Sequence, residues 1–379
     1  MNTKLAPTYK KMFGDYWILW YSISNSYSVI NSDFELLLDT YLASNTQKDF
    51  SNTLSDQIPV SDSLKLSETI HNYLKDCNNR YSPPNTSSDT LDTSHRNISK
   101  HYLFGSKRIQ IYYSSELVLK TVHPAIAYYC NTSTANTDVT FDIYLKNDNL
   151  YLFKNGELMS CVPKREYHLL QGKFIMQLLC SLHNKVEQDW IGTLHGSTIT
   201  DGNSSILFVG KSGKGKSTLS ALLATNGFEL LADDVSPLLS ENQHIYYNPS
   251  SISIKEGAFN LLQPLVKNFE KLPIVEFNKT KGQLKYMPCT KPKQDHYPCH
   301  AIVLVNYVSE SETLIEPISI KHILETIIED SWLSPNPKHA QQFLDWLQKV
   351  KLYQVTYSDT NSVSSEISAL FKQFNYQNQ

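Results

Sequence analysis

Residues 206–217 read ILFVGKSGKGKS, four apolar residues running without a break into a segment with three glycines, three lysines and two serines. An apolar helix-like stretch, TLSALLATNG, follows at once. With only 13 glycines in 379 residues, three in so short a loop have a local cause. Glycine lets a backbone take positive φ and come close to a neighbour or a ligand, so this passage predicts a buried strand, a tight loop and a helix in direct succession.

Gly210, Gly215, Lys216 and Ser217 match G-x-x-x-x-G-K-[ST], the pattern of a phosphate-binding P-loop. Successive amides of Gly210, Lys211, Ser212, Gly213, Lys214 and Gly215 can point inward as an anion nest, and Lys216 can reach the β- and γ-phosphates. Ser217 can ligand Mg²⁺, and the helix N-terminus at Ser217 and Thr218 adds its positive end. The apolar strand before the loop and the helix after it supply the context that the motif requires. ATP with Mg²⁺ is therefore the expected cofactor pair, with GTP left open.

The strand FELLA ends in Asp233-Asp234. An isolated acidic pair at a strand end is ordinarily a solvated turn. Beside a phosphate loop, one carboxylate can hold Mg²⁺ and the other can accept a proton from an attacking hydroxyl. Other nucleotide-binding classes fit poorly: NKTK at 278–281 lacks the aspartate of a guanine-reading N-K-x-D, and no L-S-G-G-Q-like segment occurs.

Composition limits the partners. The formal net charge is −3, so no global positive field attracts nucleic acid or an anionic membrane, and any anion site must be local. Apolar residues make up 41 % and charged residues 19 %, a globular balance. Six cysteines lie scattered without a C-x-x-C pair, which reads as reduced thiols and neither a disulfide framework nor a zinc site. Neither a signal-like N-terminus nor a spanning apolar run is visible, and a cytoplasmic location is expected.

Along the chain, residues 1–77 read as a small winged-helix-like module. YWILWYSISNSYSVI predicts strands with a turn near Ser24 to Ser26. A helix follows with Phe34, Leu37, Leu38 and Leu42 on one side, capped by Ser32 or Asp33; a second, behind Ser61 or Asp62, aligns Leu64, Leu66, Ile70 and Leu74. Residues 78–99 read as a linker of Asn, Ser, Thr and Pro. Residues 100–189 read as β-rich, with a hairpin at Asn155-Gly156 and a connecting helix that turns Leu170, Phe174, Leu178, Leu179 and Leu182 inward. Residues 190–379 alternate strands with helices as an α/β domain, with a hairpin-like stretch around HIYYNPSSISIKEG.

The block from Leu194 to Leu239 resembles the core of HPr kinase/phosphorylase and its kinase relatives, a fold also related to the ATP-dependent phosphoenolpyruvate carboxykinases. Gly210, Ser212, Gly213, Gly215, Lys216 and Ser217 match that family's loop, and Asn226-Gly227 and Asp233-Asp234 match the segment after its helix. His195 matches a histidine on the strand preceding the loop strand, and Lys255, in YNPSSISIKEGAF, a lysine of a later segment. The resemblance implies an α/β fold with a C-terminal P-loop kinase domain of this type, preceded by a mixed α+β N-terminal half. It implies a phosphotransferase in which one of Asp233 and Asp234 is the base and the other lies near the metal, with Ser217 and Asp233 as metal-side residues. His195 would sit near the transferred phosphate, and Lys255 would contact phosphate or substrate.

The chain lacks the downstream G-R-N segment of the bifunctional enzymes, and its N-terminal half differs from theirs, so neither HPr nor a reverse phosphorylase step is implied. Kinases associated with peptide-modifying gene sets are the expected relatives. YSVINSDFELLLDTYL resembles the strand-to-helix passage of PqqD-like domains, which implies a precursor or leader peptide bound along a sheet edge. The expected function is transfer of the γ-phosphate to a Ser or Thr hydroxyl of a peptide or protein. Two alternatives stand beside it: a nucleotide-binding regulator or assembly protein that transfers nothing, and a small-molecule kinase whose first half serves only to build a homo-oligomer.

Overall fold

The computed structural model describes residues 3–56, 58–79, 89–132, 136–276 and 282–377. It is a mixed α/β protein, with ten α-helices and four sheets among these residues. Residues 80–88 of the expected linker and the NKTK tetrapeptide lie outside them.

The chain opens with an antiparallel sheet of strands Tyr9–Phe13, Tyr16–Tyr21 and Ser26–Asn31, followed by helices Ser32–Ala43, Gln47–Thr53 and Val60–Cys77. The middle strand buries both of its faces. Leu19 and Tyr21 join the core under these helices, whereas Ile18 joins the core of the large C-terminal sheet. Tyr27 meets Phe343 edge-on at 5.5 Å, and Asn25 Nδ2 donates to the Leu333 carbonyl at 2.8 Å, so this small sheet is fastened to the helix Pro337–Lys349 region. The expected caps are corrected. Asn31, not Ser32 or Asp33, caps the first helix by accepting the Phe34 amide at 2.9 Å, and the third helix begins behind Pro59, ahead of Ser61 and Asp62. Leu64 is exposed; the buried face is Ser63, Ser67, Ile70 and Leu74, because the helix packs against Gln47–Thr53, an element without a clear apolar period.

The second sheet has six strands in the order Cys130–Asn131, Ile98–Phe104, Lys107–Tyr113, Val139–Lys146, Asn149–Lys154 and Glu157–Pro163. Residues 92–99, read as linker, are folded onto it: Arg96 makes a two-pronged bond to buried Asp142, and His95 stacks on Tyr144. Helix Glu116–Ile126, absent from the β reading, makes the crossover that lets Lys107–Tyr113 and Val139–Lys146 pair in parallel. Asn155 and Gly156 form the expected turn, with φ of +50° and +88°.

The third and largest sheet carries the loop. Strand Ser205–Val209 is wholly buried, with Ser197–Thr200 antiparallel on one side and His296–Tyr307 parallel on the other; Lys351–Tyr357 then runs parallel to His296–Tyr307. Helices Lys216–Thr225 and Thr360–Gln377 cover one face, and Ile320–Ile327 and Pro337–Lys349 the other. The early part of His296–Tyr307 pairs with His244–Tyr246, which extends the sheet through Val235–Leu239 to Trp190–His195. The hairpin-like stretch around Tyr247 is corrected. His244–Tyr246 belongs to the large sheet, and Ile252–Lys255 pairs with Gln283–Met287 in a separate three-stranded sheet, so the intervening Asn-Pro-Ser-Ser carries the chain from one sheet to another.

Candidate functional site

The loop leaves the sheet at Gly210, whose φ is +152° and where an added Cβ would stand 3.0 Å from the Val305 carbonyl oxygen. Gly213 and Gly215 follow at +87° and +95°, so each glycine of the segment occupies a conformation that side chains resist. Gly215 is the N-cap of helix Lys216–Thr225 and supplies no side-chain bond, which leaves first-turn amides free to meet an anion. Lys216 is buried, and its Nζ donates to the Gly210 carbonyl across the loop. Burial lowers its pKa, with the charges of Asp234, Asp233 and Asp330 pulling the other way. Thr218 lies half-buried in the first helical turn, whereas Lys211, Ser212, Gly213 and Lys214 form the exposed tip.

The acidic pair divides between two environments. Asp233 is 3 % exposed. Its Oδ1 accepts from the hydroxyls of Ser197 and, at 3.1 Å, Ser217, and its Oδ2 accepts the Ser253 amide at 3.0 Å. Burial raises its pKa and the neighbouring Asp234 charge adds to this, while the three hydrogen bonds oppose the rise. Asp234 takes a left-handed φ of +66°, an irregularity between strands Glu229–Ala232 and Val235–Leu239, which otherwise run on in the same direction. Its side chain is 68 % exposed, and Oδ1 stands 3.5 Å from His195 Nδ1. The two adjacent carboxylates thus separate into one held inside and one presented outward.

His195 ends strand Trp190–His195, and a break at Gly196 separates it from Ser197–Thr200, the immediate partner of the loop strand. The register nevertheless carries through, since His195 pairs with Val235 and Thr198 with Ala232, and the Gly196 amide donates to the Asp234 carbonyl at 3.3 Å. His195 belongs to a strand paired with Val235–Leu239, and this pairing sets it opposite Val235, next to Asp234. The Ser331 hydroxyl accepts its amide at 2.8 Å. Lys255, at the end of Ile252–Lys255, donates from Nζ to the Ser212 hydroxyl at 3.0 Å and so lies over the loop tip.

Sequence reasoning missed Ser197, Ser253, Ser331, Tyr286 and Cys289. Burial, with the charges of Asp234 and Asp233, pushes the Tyr286 hydroxyl up to about 12; burial and Asp233 push the Cys289 thiol up to about 12. Ser197, Ser253 and Tyr286 come from three strands and Cys289 and Ser331 from the segments beside strands, and only Ser197, two positions after His195, carried a local signal. Ser217 and Asp233 offer two hard oxygen donors 3.1 Å apart, and no cluster of three or more His, Cys, Asp or Glu suited to a metal occurs among the described residues. Such a sparse oxygen set fits Mg²⁺, which fills its octahedron largely from phosphate and water, and does not fit an all-protein cage.

No family model and no curated protein matches the chain. Among solved structures, it is similar to the Hpr(Ser) kinase/phosphatase from Coxiella burnetii at 13 % identity, over 49 % of this chain and 97 % of that one, with a TM-score of 0.23. A likeness of that size places no residue. No described helix is long and apolar enough to cross a membrane.

Proposed function

We propose that this chain is an ATP- and Mg²⁺-dependent kinase that transfers the γ-phosphoryl group to a Ser or Thr hydroxyl of a peptide or protein. One observation carries the reading: the glycine loop, a buried carboxylate bonded to the loop serine, and an exposed carboxylate beside a histidine meet at one edge of one sheet. The bond that forms joins the substrate oxygen to the γ-phosphorus, the bond that breaks is the one from that phosphorus to the β–γ bridging oxygen, and ADP leaves. Asp234 takes the hydroxyl proton, and His195 at 3.5 Å orients its carboxylate. Lys216 and the free amides of the helix start stabilise the charge on the transferred group. Ser217 and Asp233 would hold Mg²⁺, which supplies charge neutralisation of the phosphates when bound. Asp234 stands on an open surface and not in an enclosed cavity, which suits a side chain presented by a polypeptide.

Strand Ser26–Asn31 is the edge of its sheet, and with helix Val60–Cys77 it frames a groove of about 630 Å³ lined by Ser28, Thr69, Asn72, Tyr73 and Asp76. A precursor peptide added as a fourth strand there would be held by main-chain bonds and kept at high effective concentration near Asp234. The test is incubation with labelled ATP and candidate peptides, followed by mass spectrometry. Asp234→Asn should abolish phosphopeptide while nucleotide affinity is retained. Unchanged output from that variant would favour a nucleotide-binding regulator, and turnover retained after deletion of residues 1–98 would favour a small-molecule substrate.

A further inference from the structure

The parallel strands Ser205–Val209, His296–Tyr307 and Lys351–Tyr357 end at the edge where the loop begins, and the last two lie on the flank of the loop away from the strands that carry Asp233. In open α/β sheets, ligands settle outside the carboxyl ends of the strands. Two tyrosines occupy that flank. Tyr357 is buried, and Tyr307 leans on it edge-on, 5.6 Å between ring centres and 78° between planes, while remaining 47 % exposed. Both press on the loop: a Cβ built on Gly215 would stand 3.1 Å from the Tyr357 hydroxyl and 3.6 Å from Tyr307 Cβ. The surroundings are tied down, since the Val308 amide donates to the Tyr357 carbonyl at 3.0 Å and Lys214 Nζ donates to Asn306 Oδ1 at 3.3 Å.

We infer that the exposed ring of Tyr307 is the platform on which the base of the bound nucleotide stacks, an assignment that rests on the nucleotide reading above. The phosphates run from the loop toward Asp233, and the nucleoside leaves in the opposite direction, over Tyr307. A ring fixed by an edge contact stacks a base with little loss of side-chain freedom, and it reads the π-face, which every base has. Tyr307 therefore selects a nucleotide over bare polyphosphate and separates ATP from GTP by no more than a few-fold.

The experiment is calorimetry on the full chain with Mg²⁺, using ATP, GTP and inorganic tripolyphosphate against wild type, Tyr307→Phe and Tyr307→Ala. Tyr307→Ala should weaken ATP and GTP roughly tenfold and leave tripolyphosphate unchanged, with Tyr307→Phe close to wild type. Equal ATP affinity in wild type and Tyr307→Ala would overturn the platform, as would Tyr307→Phe behaving like Tyr307→Ala. A proportional loss of tripolyphosphate would overturn it too, because the residue would then shape the loop itself. Wild type that binds tripolyphosphate and ATP with the same affinity removes the base subsite but keeps the phosphate loop; wild type that binds neither removes both.

Discussion

Ser217 Oγ lies 3.1 Å from Asp233 Oδ1, although one opens a helix and the other follows a strand of the same sheet. The buried carboxylate is the fixed point of the site, since Ser197 and the Ser253 amide hold it from two further strands. Ser217→Ala removes one oxygen donor and leaves the other two bonds of Asp233 in place. The Mg²⁺ concentration needed for half-maximal phosphorylation should rise roughly tenfold, with little change in the urea unfolding midpoint. A magnesium titration of activity, paired with an unfolding curve, checks both halves.

Lys255 reaches the loop from a separate sheet, and its exposed ammonium has the Ser212 hydroxyl as a partner at 3.0 Å. A cation so placed can bind the outermost phosphate. Lys255→Ala should weaken ATP by roughly tenfold, about 1.4 kcal/mol, and leave ADP within about twofold. Calorimetry with the two nucleotides separates this from a general loss of binding, which would lower both alike.

Gly196 breaks the strand between His195 and Ser197 where the backbone runs against the loop strand. An added Cβ would meet the Phe208 carbonyl oxygen at 2.5 Å and Leu207 Cδ1 at 2.8 Å. Since both obstacles belong to the buried strand Ser205–Val209, Gly196→Ala should cost about 1–3 kcal/mol and displace that strand. Urea denaturation measures the cost, and a variant as stable as wild type would show that the two strands can separate freely.

Acid should weaken the fold. Burial holds His123, His183, His244, His300 and His339 below the usual 6.5. The unfolded chain takes up protons near 6.5 that the folded chain resists, so their contribution is fully present above 6.5 and is lost as pH falls through the lower folded-state values. His183 is a clear instance: its Nε2 donates to the Tyr247 carbonyl at 2.8 Å, Asp295 favours its charge, and Lys291 and His296 oppose it. The urea midpoint should fall between pH 7.5 and 5.5, and His183→Gln should reduce the slope. A flat profile would contradict the burial of these rings as neutral groups.

The loop was legible in the sequence because its requirements are local. Positive φ at Gly210, Gly213 and Gly215 demands glycine whatever lies around them, and a strand leading into a helix is written in consecutive residues. The same holds for Asn155-Gly156. Asp233-Asp234 could be singled out for its place after a strand, but nothing local distinguishes the two carboxylates. Their separation into an inward and an outward group comes from the left-handed backbone at Asp234 and from serines on other strands.

The sequence alone determined the glycine loop between a buried strand and a helix, since backbone conformation there depends on a handful of adjacent residues. Only the tertiary structure decided what surrounds that loop. Pairing with Val235–Leu239 sets His195 beside Asp234, a switch between sheets carries Lys255 to Ser212, and two parallel strands end in Tyr307 and Tyr357 at Gly215. Each of these meetings joins residues from different elements, and their distances follow from strand order and register, which hydrophobic periodicity along one chain does not encode.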